Sequence, residues 1–157
     1  MERPVSVALI QCGSATESKE ENLKSNLRLL DKAAQKNPDF ICFSELSTTP
    51  YFPMSEYDNE YFEWAEPIPG PTTSVLAEKA RQHQCYIIAP FFEKTELEYY
   101  NSAVVLGPDG DIVQGKLPGG RVVGCYRKNH IPSLPGLHKG RGNEKWYFGF
   151  SADFDSF

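Results

Sequence analysis

The run Val5-Ser6-Val7-Ala8-Leu9-Ile10-Gln11 decides the architecture. It is short, β-branched and almost continuously apolar, the composition of a strand covered on both faces and placed centrally in a sheet. Downstream, Ser18 lies three residues ahead of Glu21, the spacing of a helix-initiating capping box. Leu23, Leu27, Leu30 and Ala34 then recur at three- and four-residue steps. This spacing predicts a helix running to about Lys36 and ended by Asn37-Pro38. Phe40-Ile41-Cys42-Phe43 follows as a second compact apolar strand. Strand, helix and strand in that order imply a right-handed parallel crossover, and hence an α/β layered fold with a mixed sheet.

The unit repeats. Thr72 or Thr73 is expected to cap a second helix through Gln84, with Val75, Leu76 and Ala80 facing inward, before a third strand at Cys85-Tyr86-Ile87-Ile88-Ala89. From Tyr100 to Leu106, through the turn Gly107-Pro108-Asp109-Gly110 and on from Asp111 to Gln114, the pattern predicts an antiparallel hairpin. Gly119-Gly120 should turn the chain into a strand from Arg121 to Tyr126. Between the repeats, Ser47 to Pro71 is rich in Pro, Tyr, Phe and acids and lacks periodicity. It reads as a long loop of the kind that carries function. The segment from Lys128 to Phe157 shows no long periodic element.

The chain of 157 residues is 40% hydrophobic, enough for one domain with a real core. Its net charge of −5, without an extended basic run, disfavours nucleic acid as a partner. No segment approaches the roughly 18 apolar residues needed to span a bilayer. The start Met1-Glu2-Arg3-Pro4-Val5 lacks the layout of a signal peptide. A soluble, cytoplasmic protein without a membrane partner is the expectation. Cys12, Cys42, Cys85 and Cys125 are widely spaced and mostly set in apolar runs, so they read as reduced core thiols. His83, His130 and His138 lack metal-ligand spacing, and neither metal nor cofactor is expected.

Two residues stand where chemistry could occur. Glu45 lies just past the second strand, and the carboxyl ends of parallel strands are where α/β sheets build sites. A carboxylate there suits a general base. Lys128 stands where a predicted strand gives way to the loop before Pro132, and an ammonium there suits oxyanion stabilisation. By position alone, a solvated surface charge is the commoner reading of each.

Three phrases change that balance. Phe43-Ser44-Glu45-Leu46, then Tyr99-Tyr100-Asn101-Ser102-Ala103-Val104-Val105 with Gly107-Pro108-Asp109-Gly110, then Tyr126-Arg127-Lys128-Asn129-His130-Ile131-Pro132 occur in order. Together they resemble the nitrilase superfamily of carbon-nitrogen hydrolases. The resemblance implies that Glu45 is the general base and that Lys128 stabilises the tetrahedral intermediate. Asn143-Glu144-Lys145-Trp146-Tyr147-Phe148 is similar to the place where members carry a second glutamate. This implies that Glu144 orders the lysine and supports the substrate; on its own Glu144 reads equally well as a surface acid.

The implied fold is the amino-terminal half of a four-layer α-β-β-α sandwich, a single but incomplete domain over 1–157 that leaves apolar sheet surface uncovered. The implied reaction is hydrolysis of a small-molecule amide, most similar to the N-carbamoyl amidase branch, through Glu, Lys and a cysteine. In the family that cysteine follows a later strand, past Phe157, and none of the four cysteines here matches it. A second expectation therefore stands beside the first: an inactive fragment, or a partner subunit of a full-length homologue. Homo-oligomerisation or association with such a homologue is expected in either case.

Overall fold

The computed structural model describes residues 3–13, 15–116, 120–133 and 143–151. Strand β1 (Val7–Ile10), helix α1 (Lys19–Ala34) and strand β2 (Phe40–Phe43) form the predicted crossover. β1 runs parallel to β2 in register from Val7 opposite Phe40 to Ile10 opposite Phe43. Ser18 caps α1 by accepting the Glu21 amide at 3.2 Å. Only half of the capping box forms, because the Ser18 amide donates to Thr16 Oγ1 instead of to Glu21. Asn37 turns the chain at φ 47°, a left-handed conformation that a short polar side chain tolerates.

Helix α2 (Pro71–His83) and strand β3 (Tyr86–Lys94) repeat the unit, with β3 parallel to β2. The cap of α2 is Gly70 rather than Thr72 or Thr73; Thr73 reaches back and accepts the Gly70 amide at 2.7 Å. Strand β3 runs five residues past its expected end at Ala89. It pairs antiparallel with β4 (Tyr99–Leu106) from Ile87 opposite Leu106 to Lys94 opposite Tyr99. The main hairpin therefore precedes β4. Its turn closes where the Thr95 amide donates to the Glu98 carbonyl at 2.8 Å. The expected partner at Asp111 to Gln114 is reduced to one bridge between Leu106 and Ile112, because the tight turn from Gly107 to Asp111 uses up the approach. The expected strand from Arg121 to Tyr126 is divided. β5 (Gly115–Lys116) pairs with β6 (Val122–Val123), while β7 (Tyr126–Arg127) joins β4. Gly119 of the predicted Gly119-Gly120 turn lies outside the described residues.

The main sheet has the order β1-β2-β3-β4-β7, so β1 is an edge strand and not the central one its composition predicts. Side chains alternate across a sheet. The face carrying Ile10, Ile41, Phe43, Ile87, Ala89, Phe91, Val104 and Leu106 is sealed by Leu30 and Ala34 of α1 and Leu76 and Ala80 of α2. On the opposite face Val7 is 55% and Leu9 77% exposed. This mixed sheet, helix-covered on one side and apolar and open on the other, is the arrangement expected of half a sandwich. Farther along that open face a second cluster, Leu46, Phe52, Ala65, Phe92, Tyr147 and Phe148, roofs the ends of β3 and β4. No helix among the described residues is long and apolar enough to cross a membrane.

Candidate active site

The chain leaves β2 at Phe43 and reverses at Leu46, whose φ of 50° is costly for a branched side chain. Three contacts hold it there. Leu46 is buried in the aromatic cluster, Asn26 Nδ2 donates to the Ser47 carbonyl at 2.8 Å, and Asn22 Nδ2 donates to the Thr48 carbonyl at 3.1 Å. The inner stripe of α1 is thus Asn22, Asn26, Leu30 and Ala34, whereas Leu23 and Leu27 of the predicted stripe are only half-buried. A four-residue step through the two asparagines was the signal, and their polarity hid it. Buried amides at these positions tie the loop carrying Glu45 to the helix.

Lys128 arrives from the other side of the sheet's end. Its amide donates to the Asn101 carbonyl at 2.8 Å, continuing the pairing of β7 with β4 by one residue. Its Nζ lies 3.0 Å from Glu45 Oε1, 2.9 Å from Glu144 Oε2 and 3.2 Å from Glu144 Oε1. Glu144 opens a short 3-10 turn, Glu144–Trp146, capped by Asn143, and its side chain is only 9% exposed. Glu45, Lys128 and Glu144, separated by up to 99 positions in the chain, meet at one ammonium.

Two further residues complete the cluster. Asn101 Nδ2 donates to Glu45 Oε1 at 2.5 Å, and the Tyr51 hydroxyl donates to Glu144 Oε1 at 2.5 Å. Neither was singled out in the sequence. The polar pair Asn101-Ser102 inside an otherwise apolar strand was a usable signal for the first; nothing distinguished Tyr51 among the aromatics of its loop.

Burial works against the charge of Lys128, but the hydrogen bonds it donates to Glu144 and Glu45 outweigh it and hold the ammonium above the ordinary lysine value. Burial, the bond to Glu144 and the nearby Glu45 charge push the Tyr51 phenol well above its ordinary value. At neutral pH the site therefore holds a fixed cation and a neutral phenol that serves only as a donor to Glu144. A cleft of about 270 Å³ opens beside Glu45, lined in part by Cys12, Ser44, Thr49 and Tyr51.

The four cysteines are free thiols, and three of them belong with the core: Cys85 is buried within the helix-covered cluster, and half-buried Cys12 and Cys125 pack against it. Cys42 departs from the core reading, because it is half-buried and alternates onto the other face of the sheet, while Cys12, just past β1, also lines the cleft and donates to Asn26 Oδ1 at 2.9 Å. Among the described residues no group of three His, Cys, Asp or Glu side chains is placed to hold a metal ion.

Residues 6–155 match the carbon-nitrogen hydrolase family. The chain belongs to that family. This carbon-nitrogen hydrolase chain is similar to an N-carbamoylputrescine amidase of Solanum lycopersicum, with 33% identity over 147 residues that make up 93% of this chain and 43% of that protein. An N-carbamoylputrescine amidase of Oryza sativa subsp. japonica is 31% identical over 92% of this chain and 42% of its own length. Among solved structures, the carbon-nitrogen hydrolase from Helicobacter pylori G27 superposes with a TM-score of 0.75 at 29% identity, covering 94% of this chain and 45% of that one. The chain spans less than half the length of these relatives.

Proposed function

We propose that this carbon-nitrogen hydrolase chain supplies the base and the oxyanion-binding half of a site that hydrolyses non-peptide carbon-nitrogen bonds in small amides, N-carbamoyl amines first among them. The observation that carries the reading is Lys128 Nζ held between Glu45 and Glu144. The similarity to N-carbamoylputrescine amidases supports the choice of substrate class. The nucleophile in this reading is a cysteine that the family resemblance puts past Phe157.

As the thiol sulfur attacks the carbonyl carbon, its proton passes to Glu45, and the oxyanion that develops is met by the Lys128 ammonium. Collapse breaks the carbon-nitrogen bond while Glu45 returns the proton to the leaving nitrogen, leaving a thioester. Water then gives a proton to Glu45 and adds to the thioester carbon, and collapse breaks the carbon-sulfur bond with return of that proton to the thiolate. Glu144, held by Tyr51, keeps the ammonium aimed.

The test is ammonia release from N-carbamoyl amines by the protein isolated from its natural source, with its intact mass measured alongside. Activity lost in Glu45→Ala and Lys128→Ala variants supports the reading; full activity in either overturns it. A second reading, a partner subunit of a full-length homologue, is favoured by the exposed Val7 and Leu9 face. A native mass of 17.7 kDa together with co-purification of a longer homologue would select it.

A further inference from the structure

Strand β7, which delivers Lys128, is two residues long, pairs with β4 at Ser102–Arg127 and Ala103–Tyr126, and lies at the edge of the sheet among the described residues. The Lys128 backbone itself adds two bonds, its amide donating to the Asn101 carbonyl at 2.8 Å and its carbonyl accepting the Ser151 amide at 3.3 Å. So short a ladder fixes the main chain more than the direction of a side chain whose nitrogen must stay in register with two carboxylates. A stronger hold exists on the opposite face of the sheet. Arg127 Nε donates to Glu93 Oε2 at 2.8 Å and Arg127 Nη2 donates to Glu93 Oε1 at 2.5 Å, a two-point fork on a carboxylate whose residue is 3% exposed. Ser102 Oγ donates to the same Glu93 Oε2 at 2.5 Å, and the guanidinium lies 4.3 Å from the centre of the Tyr100 ring.

We propose that the Arg127–Glu93 fork, braced by Ser102 and Tyr100, is the positioning device for Lys128. The inference rests on the reading of Lys128 as the oxyanion-stabilising residue. A planar guanidinium gripping both carboxylate oxygens fixes rotation as well as distance, which a lysine at the same place cannot do. Because neighbouring residues of an extended strand point to opposite faces, fixing Arg127 on the helix-covered side sets the exit direction of Lys128 on the other. Glu93 is itself anchored. It is bridged to Glu66, and the Lys94 amide donates to the Glu66 carbonyl at 2.8 Å. Arg127 and Glu93 are positioning residues and touch no substrate.

The experiment reads Lys128 directly, without using catalysis. Acetylation rates of Lys128, Lys79 and Lys145 by an N-hydroxysuccinimide ester are measured peptide by peptide by mass spectrometry, in the wild type and in Arg127→Lys and Glu93→Gln. Arg127→Lys keeps the charge and loses the fork; Glu93→Gln keeps the shape and loses the charge. Once released from Glu45 and Glu144, Lys128 regains an ordinary fraction of free amine. Its labelling rises severalfold, while Lys79 and Lys145 stay at wild-type rates. Unchanged Lys128 labelling in both variants overturns the proposal, as does a parallel rise at all three lysines, which marks general loosening. Either failure leaves the hydrolase reading standing. Conversely, full activity of Glu45→Ala would remove that reading while leaving the labelling result intact.

Discussion

Asn101 binds Glu45 with its side chain, Nδ2 to Oε1 at 2.5 Å, while its carbonyl accepts the amide of Lys128 at 2.8 Å. One residue of β4 thereby sets the separation between the Glu45 carboxylate and the Lys128 ammonium, and the antiparallel pairing of β3 with β4 sets the position of Asn101.

Asn101→Asp replaces the donor with a like charge against Glu45. The variant should lose about 2 kcal/mol at pH 7, more than the roughly 1 kcal/mol of Asn101→Ala, which only forfeits a bond. Because protonation of the introduced aspartate relieves the repulsion, the deficit of the Asp variant relative to wild type should shrink as pH falls from 7 to 4. Urea unfolding at both pH values checks this; a deficit independent of pH would contradict it.

Glu66 joins the starts of the two long helices. It pairs with Lys19 at the start of α1, and accepts the Thr72 amide at 2.8 Å and the Thr72 hydroxyl at 2.7 Å at the start of α2. Burial opposes its charge, but the bonds from Lys19 and Thr72 prevail and leave its carboxyl below the ordinary glutamate value. A carboxyl depressed by folding contributes stability that is full above its unfolded pKa and is lost as pH falls through the folded value. Glu66→Gln should therefore cost about 1–3 kcal/mol at neutral pH and unfold less steeply in acid than wild type, as followed by circular dichroism during acid titration.

Phe52 is 1% exposed and touches the rings of Tyr61, Trp64, Phe92, Tyr147 and Phe148 beneath the loop that carries Tyr51. Phe52→Ala should cost about 3–5 kcal/mol. Because Tyr51 and Glu144 sit on the two segments it joins, the same change should raise the acetylation rate of Lys128 in whatever fraction remains folded. An alanine variant as stable as wild type would show that the cluster is not a core.

Leu9 offers the opposite case. At 77% exposure it contributes little to the stability of this chain, so Leu9→Lys should alter unfolding by less than about 0.5 kcal/mol. The apolar face it shares with Val7 should make the wild-type chain self-associate or take up a partner, and Leu9→Lys should lower the apparent mass in sedimentation velocity. Identical sedimentation of the two would show that the open face is not an association surface.

The local elements were legible because their signals are local. Ser18 ahead of a periodic run marked α1, Asn37-Pro38 its end, and Phe40 to Phe43 a strand. Where the readings failed, the deciding partner was distant. β1 has the composition of a central strand yet lies at an edge, because strand order depends on where the later crossovers fall. β3 outran its expected end because eight pairs with β4 carry it through Pro90 to Lys94.

The same division holds at the site. The sequence by itself determined that Glu45 lies just past a parallel strand, that Lys128 and Glu144 stand in phrases resembling a family pattern, and that the chain is an α/β protein, since these depend on residue type and spacing. Only the tertiary structure decided that the three side chains meet at one ammonium, that Asn101 and Tyr51 hold the two carboxylates, and that Arg127 grips Glu93 on the opposite face. A contact across the sheet depends on register and on which face each residue takes. Both are set by the packing of α1 and α2 against one side of the sheet, a physical fact that no short window of sequence contains.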